Sequence, residues 1–289
     1  MAGSKRPRSQ AAAALGAELK EIREGRDVTT RELAVMLGRK PTDSGLISRW
    51  ESGERVPKPD DVARVIEALD IEGDEAADLM ASVNGARAGG RWVAFTLPER
   101  RQQLNAVLAT ERTATTVVHV APLIIPGLLQ TSDVIRSMMV EGGVPADEID
   151  ERVMVRIGRR ELITRREPAQ LNVLLGESAI RQVLGGPAVM AEQLRYLREM
   201  AELPNVEIRA VANSAGWTPA LTGAFILLES ETEQPVVSVE LNGCGLLLQD
   251  LGDIEVHRRA AEAVRMKAMS PARTAKLIAE VIAELEEAK

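Results

Sequence analysis

The stretch SGLISRWESGERVPKP, residues 44–59, gathers the chain's most suggestive side chains. At about 100° per residue along a helix, Ile47 and Trp50 point one way, while Gly45, Ser48, Arg49 and Ser52 point roughly opposite. The outward face is therefore small and polar. Trp50 reads as a core anchor, with a stacking platform for a base as the alternative. Glu51 lies on the flank of the buried side, where an unpaired carboxylate is costly. Arg23 occupies the matching flank of an earlier helix, near the C-terminal end where a cation is favoured; either it pairs with Glu51, or both charges are solvated.

Catalytic chemistry is poorly provided for. His119 and His257 are the two histidines, and neither lies in an HxxxH, HxH or Cys-rich setting, so no metal site is expected. Cys244, in NGCGLLL, reads as a small apolar residue rather than a nucleophile. The double glycines at 142 and 185 precede neither Gly-Lys-Ser nor a GxGxxG spacing. Carboxylates are plentiful, but no spacing singles out a pair. The expectation is no catalytic residue, no cofactor and no enzyme. A different kind of site is offered by LLGESAIRQ, where Glu177 and Ser178 stand at a helix start. Free backbone N–H groups there bind an anion or are capped by those side chains. Arg181 and Trp217 are candidates to complete the wall of such a ligand site.

These residues need scaffolding, and the chain is long enough to supply it. At 289 residues, 45% hydrophobic and 27% charged, it has the composition of a globular protein of two domains. No leader pattern opens the chain, the lone Cys244 has no internal disulfide partner, and no apolar run approaches the ~18 residues of a membrane span. A cytoplasmic, nucleoid-associated protein without membrane contact is expected. The net charge is −7, but residues 1–58 hold twelve Lys or Arg against eight Asp or Glu, net +4, leaving −11 on the remainder. Such asymmetry is expected when one end meets phosphate and the other does not.

Spacing predicts five short helices in the N-terminal part. Leu15, Leu19 and Ile22 mark the first, over about residues 11–25. Thr29 with Glu32 forms a capping box ahead of Leu33 and Leu37, and Gly38 stops the second. The third runs from Ser44 to Ser52, capped by Asp43 or Ser44; Val62, Val65, Ile66 and Leu69 mark the fourth, and Ala76, Leu79, Met80 and Val83 the fifth. NGARAGGRW then reads as a linker. The expected organisation is a basic arm (1–10), an all-α five-helix domain (11–84), a linker (85–92) and a larger mixed α/β (α+β) domain (93–289) for regulation, dimerisation or partner binding.

In the second domain TTVVHVAP, LNVLLG, VEIRAVA, GAFILLE and PVVSVEL are strand candidates. Helices are expected over 128–140, 145–166, 187–203 and, as a pair, 253–289. Arg152, Arg156, Arg159 and Arg166 share a helix face amid carboxylates, a salt-bridged solvated face or a partner-binding stripe. Ala275, Ile278, Ala279 and Ile282 line one side of the last helix, suited to packing at home or across a dimer axis.

The Leu-Ala-x-x-Leu-Gly of helix two, the Ile-Ser-Arg-aromatic-Glu-x-Gly of helix three and the Pro-rich exit resemble the phage-repressor (XRE) type of helix-turn-helix over about residues 15–72. The resemblance implies a sequence-specific transcriptional regulator on a double-stranded DNA operator, acting as a homodimer. It implies that the third helix enters the major groove and that an Arg of helix one, here Arg23, pairs with the Glu of helix three, here Glu51. It places Ser44, Gly45, Ser48 and Arg49 at base edges, with Arg49 suited to bidentate contact with guanine. Thr30, Arg31, Ser52, Arg55 and Lys58 fall where such domains meet phosphate. Lys5, Arg6 and Arg8 form a groove-following arm or a disordered basic tail. One departure is that nine residues, RKPTDSGLI, separate Gly38 from Ser48, more than the family's usual turn.

Farther on, PLIIPGLLQTSDVIRSMM, RIGRRELI and LGESAIRQVLGG resemble the C-terminal domain of the WhiJ-like, or antitoxin-like, actinobacterial helix-turn-helix regulators, over most of residues 95–270. That resemblance implies regulation beside a small partner protein and attaches no enzymatic activity to the domain. The alternative it leaves open is an antitoxin-like protein-binding module that autoregulates. Twenty-nine Arg against seven Lys suits a high-GC genome.

Overall fold

The first amphipathic stretch folds as α1 (Gln10–Gly25), burying Leu15, Leu19 and Ile22. The structure, a computed structural model, describes residues 10–87, 91–94, 97–241 and 244–287. The basic arm, with Lys5, Arg6 and Arg8, lies outside the described residues. There follow α2 (Thr30–Met36), a 3-10 turn (Pro41–Asp43), α3 (Ser44–Glu51), α4 (Pro59–Ala68), α5 (Gly73–Arg87), β1 (Arg91–Ala94) and α6 (Leu97–Thr113). Next come β2 (Thr116–Ala121), α7 (Ser132–Glu141), α8 (Ala146–Gly158), α9 (Glu161–Thr164), β3 (Gln170–Gly176), α10 (Glu177–Arg181), α11 (Pro187–Met200) and β4 (Val206–Val211). The chain ends with β5 (Phe225–Glu229), β6 (Val236–Leu241), β7 (Cys244–Leu248), α12 (Leu251–Lys267) and α13 (Pro271–Glu287).

Two compact units result. One takes the chain up to Thr110 together with Thr232–Ile254; the other takes Glu111–Glu231 and Glu255–Lys289. In the first, α1 to α5 enclose a core of Leu15, Leu19, Leu33, Ile47, Trp50, Val62, Val65 and Leu79. None of these helices is long enough to be stable alone; each stands because its apolar stripe is covered. The same unit holds an antiparallel set in the order β1-β7-β6, with Trp92 opposite Leu247 and Ser238 opposite Leu247 on the other side.

The second unit is the mixed α/β part. Its strands run in the order β5-β2-β3-β4, with β2, β3 and β4 parallel and β5 antiparallel to β2. Leu171, Val173, Leu174 and Leu175 of β3 are all buried, the near-continuous apolar run of a strand covered on both faces. α11 contributes Met190, Leu194 and Leu197 to the cover, and α13 packs on α11, α10 and β4. Leu277, Ile278, Val281 and Ile282 are buried, so α13 packs at home.

Several expectations need correction. The stretch 85–92 is not a plain linker: α5 continues through Arg87 and β1 begins at Arg91, while residues 88–90 lie outside the described part. The first unit also extends past residue 84, to Thr110, and recruits a later segment. The helix expected over 128–140 is shorter, because Thr131 caps α7 at Val134 N–H and a separate 3-10 turn holds Gly127–Leu129. The helix expected over 145–166 breaks after Gly158, the poorest helix former within α8, and resumes as α9. β1, α6 and β7 were not anticipated: β1 is four residues long, α6 has a weak apolar stripe, and β7 carries Gly245 inside a short apolar run. Among the described residues no helix is long and apolar enough to cross a membrane.

Candidate nucleic-acid interface

The site is built around α3. Ile47 and Trp50 are buried, Trp50 to 3% exposure, while Gly45, Ser48 and Arg49 are exposed and Ser44 is half-buried. Trp50 is thus the core anchor, and Arg39, tied to Asp61 at 2.7 Å, lies with its guanidinium 5.8 Å from the indole centroid. The outward face offers the Ser48 hydroxyl, which donates to the Ser44 carbonyl at 3.3 Å, and the Arg49 guanidinium, which has no side-chain partner among the described residues. A Cβ added at Gly45 would meet open space, so a surface can approach the backbone there closely.

Two devices fix α3 in place. Arg23 Nε and Nη2 donate to the two Glu51 oxygens at 2.6 and 3.0 Å, and Nη1 donates to the Val28 carbonyl at 2.7 Å. Both side chains are largely shielded, at 8% and 9% exposure, and the carboxylate raises the Arg23 pKa above its usual value. The fork geometry supplies register between α1 and α3 as well as attraction. The second device is close backbone approach. A Cβ at Gly16 would stand 2.5 Å from the Glu51 carbonyl oxygen, and one at Gly53, where φ is +70°, would stand 2.9 Å from the Ala12 carbonyl oxygen. Spacing arguments did not single out Gly16, since its contact joins segments distant in sequence, whereas Gly53 is the Gly of the Glu-x-Gly motif.

The long turn ahead of α3 is ordered. Pro41–Asp43 forms a 3-10 turn that leads directly into α3. Asp43 makes no side-chain cap on α3; its Oδ2 accepts from the Lys40 N–H at 3.2 Å and closes the turn instead. α3 itself begins at Ser44, as expected, and the 3-10 turn sets exposed Lys40 and Thr42 ahead of it. The Lys-Pro dipeptide was the available signal, since Pro favours the first position of a helix.

The phosphate candidates surround this face. Thr30 and Arg31 open α2 behind the Thr29–Glu32 capping box, where Thr29 N–H donates to Glu32 Oε2 at 2.8 Å and Glu32 N–H to Thr29 Oγ1 at 3.2 Å. The Thr29 N–H, and the Thr29 hydroxyl that donates to the same oxygen at 2.7 Å, lower the Glu32 pKa. Ser52 is half-buried with its hydroxyl on the Arg49 carbonyl at 3.3 Å; Arg55 and Lys58 are exposed, Lys58 as the residue preceding α4.

In the second unit the arrangement at Glu177 is structural. Glu177 Oε1 accepts from Arg181 Nε at 2.7 Å and Oε2 from the Asn213 N–H at 3.0 Å, which together lower its pKa. Ser178 Oγ donates to Asn213 Oδ1 at 2.8 Å, and Arg181 also reaches Glu284 at 3.0 Å. Neither Glu177 nor Ser178 caps α10: its N-cap is Gly176, which makes no side-chain cap, and the Glu177 carboxylate turns instead to Arg181 and Asn213. Trp217 is 67% exposed, its carbonyl accepting from Lys267 Nζ at 2.9 Å. The arginines after β2 are likewise engaged: Arg152 with Glu148, Arg159 with Glu111 at 2.6 and 3.1 Å, and Arg160 stacked 4.8 Å over Tyr196. His119 on β2, desolvated and facing Arg159, is pushed down to about 3. His257 stacks edge-on against Phe225 at 4.9 Å. Cys244 is half-buried at the start of β7. Among the described residues no cluster of His, Cys, Asp or Glu has the makings of a metal site.

The family described as "Helix-turn-helix domain" matches residues 14–79. The family described as "Domain of unknown function (DUF5753)" matches residues 104–280, more than half of the chain. No curated protein and no solved structure matches it.

Proposed function

This chain belongs to the family that carries the domain of unknown function DUF5753, here behind a helix-turn-helix domain, and from that premise we propose that it is a sequence-specific transcriptional regulator of the phage-repressor type. The observation that carries the reading is the exposed polar face of α3, with Arg49 unpaired among the described residues and α3 held by the buried Arg23–Glu51 fork. In this reading α3 lies in the major groove. Ser44, Gly45, Ser48 and Arg49, joined by Thr42, read base edges; Thr30, Arg31, Ser52, Arg55 and Lys58 hold phosphates and position the protein.

The chain works as a homodimer on two half-sites about 34 Å apart or multiples of that. Its second domain serves regulation, sensing a ligand or a small partner protein as in the WhiJ-like actinobacterial group. In vitro selection from a random duplex pool tests the reading. The expected result is an enriched two-fold motif whose binding weakens steeply with salt. Recovery of no motif, with gel shifts indifferent to competitor sequence, would overturn it. Co-purification from native extracts tests the partner: a stoichiometric small protein supports it, and a lone homodimer counts against it.

A further inference from the structure

We propose that the cavity along the outer edge of β4 is a ligand site for a short, uncharged peptide held in extended conformation against the backbone of Val206 and Ile208. The proposal deepens the sensing role assigned to the second domain and rests on that reading alone; it is independent of how DNA is bound.

β4 ends the strand order β5-β2-β3-β4, so one of its edges has no strand beside it. Its ladder to β3 is parallel, and the Leu171 N–H donates to the Asn205 carbonyl at 2.7 Å. Alternation then turns residues 205, 207 and 209 toward β3 and aims the backbone groups of Val206, Ile208 and Ala210 outward. The outward groups at the far end are closed. The Ala210 N–H donates to Thr274 Oγ1 at 2.8 Å, and its carbonyl accepts from the Met269 N–H at 2.7 Å. The Val206 N–H donates to the Leu203 carbonyl at 3.0 Å.

Three groups remain: the Val206 carbonyl and both the N–H and the carbonyl of Ile208. Among the described residues they have no partner, although Ile208 is only 3% exposed. Buried backbone groups in that condition are rare in folded proteins. They face a cavity of about 590 Å³, lined also by Asn172, Ala272, Ala275 and Ile278, a volume usual for a small-ligand site. Asn172 adds a side-chain amide that is likewise unpartnered among the described residues.

Charge sets the class of occupant. The charged residues that line the cavity are Arg265 and Glu207, paired at 3.4 Å, and Arg198 and Glu202, two charges of each sign. No net field favours an ion. The open donors and acceptors have the i, i+2 spacing of a sheet ladder, so they match the N–H and C=O of an extended peptide. Closure at Ala210 restricts the open edge to Val206 and Ile208, which selects a short segment over a full partner strand.

Main-chain pairing is insensitive to sequence, so one β-prone probe suffices. The full chain is titrated with N-acetyl-Val-Thr-Val-amide while backbone amide resonances are followed. Saturable movement of the Ile208 amide is expected, with an affinity at least about tenfold weaker for the probe N-methylated at all three residues, which removes one hydrogen bond or more in either register. Ala275→Arg, at an exposed position of α13, should block the cavity and abolish binding without changing the melting temperature. An unmoved Ile208 amide, equal binding of the N-methylated probe, or undiminished binding by a folded Ala275→Arg variant would each show that solvent alone satisfies the edge. Operator affinity measured on the same preparations distinguishes that outcome from failure of the regulator reading.

Discussion

In the helix-turn-helix region Arg31, Arg49 and Arg55 are exposed and have no side-chain partner among the described residues, whereas in the second unit Arg136, Arg152, Arg181, Arg195 and Arg258 are each held by one carboxylate or more. The residue type is the same; its surroundings differ. A guanidinium beside a carboxylate is locally neutral and has its fork already filled, so it ties elements together. A guanidinium left open keeps its five donors and its field available to phosphate and guanine. Within the first unit the contrast repeats on a smaller scale, since Arg23, Arg26 and Arg39 are paired with Glu51, Glu75 and Asp61 and serve the fold. Arg112, Arg166, Arg198 and Arg273 of the second unit are likewise exposed without a side-chain partner among the described residues, so what marks the candidate interface is the gathering of Arg31, Arg49 and Arg55 on α2, on α3 and in the turn that follows it.

The sharpest way to break this contrast is to remove the carboxylate from a shielded pair. Glu51→Ala should destabilise the first unit by about 3–5 kcal/mol, because Arg23 is left shielded without its partner. Glu111→Ala should do the same to the second unit through Arg159, somewhat less because Arg159 is the more exposed partner. Thermal melts of each variant check both; a loss below about 1 kcal/mol would mean that the pair behaves as a surface pair.

Arg49→Ala comes next and should act on DNA alone. It should remove about 1–3 kcal/mol of discrimination at one base pair while leaving the melting temperature in place. Competition binding across single-base variants of the selected motif reads this out. Uniform weakening on all sequences would move Arg49 from base reading to phosphate contact.

His119 tests the second unit by pH. Its folded pKa is pushed from 6.5 down to about 3 by burial and by Arg159. The unfolded chain takes up a proton as pH falls through 6.5, and the folded chain does not until about 3, so stability is fully present above the first value and declines toward the second. The slope should be at most about 1.4 kcal/mol per pH unit. Denaturant midpoints at successive pH values should show this dependence in the parent chain and lose it in His119→Gln.

Much of this architecture could be read beforehand because it is local. The Thr29–Glu32 capping box, the apolar stripes of α1 to α5 and the five branched-residue strands each declare themselves within about ten residues, and each is found in place. Trp50 was readable as core from spacing alone. What escaped is non-local or short. Gly16 matters through its close approach to Glu51. β7 pairs with β1 across more than half the chain, and neither has room for an alternating pattern. The engagement of Glu177 by Asn213 needed the β3 and β4 ends to be adjacent, which no periodicity reveals.

The smallest expected effect sharpens the comparison most. Arg152 and Glu148 form an i, i+4 pair on the exposed face of α8, each about half accessible. Such pairs contribute about 0.3–0.5 kcal/mol, since water screens the attraction and holding two long side chains costs entropy. Arg152→Ala should therefore shift the melting temperature barely beyond error and leave both operator affinity and its salt slope unchanged. The variant removes one positive charge, as Arg49→Ala does, so the two form a matched pair for net charge. If overall charge governed DNA binding, both would weaken it alike. If local unpaired cations govern it, only Arg49→Ala will, and parallel salt titrations of the two variants decide between them; equal loss would dissolve the distinction between the two regions.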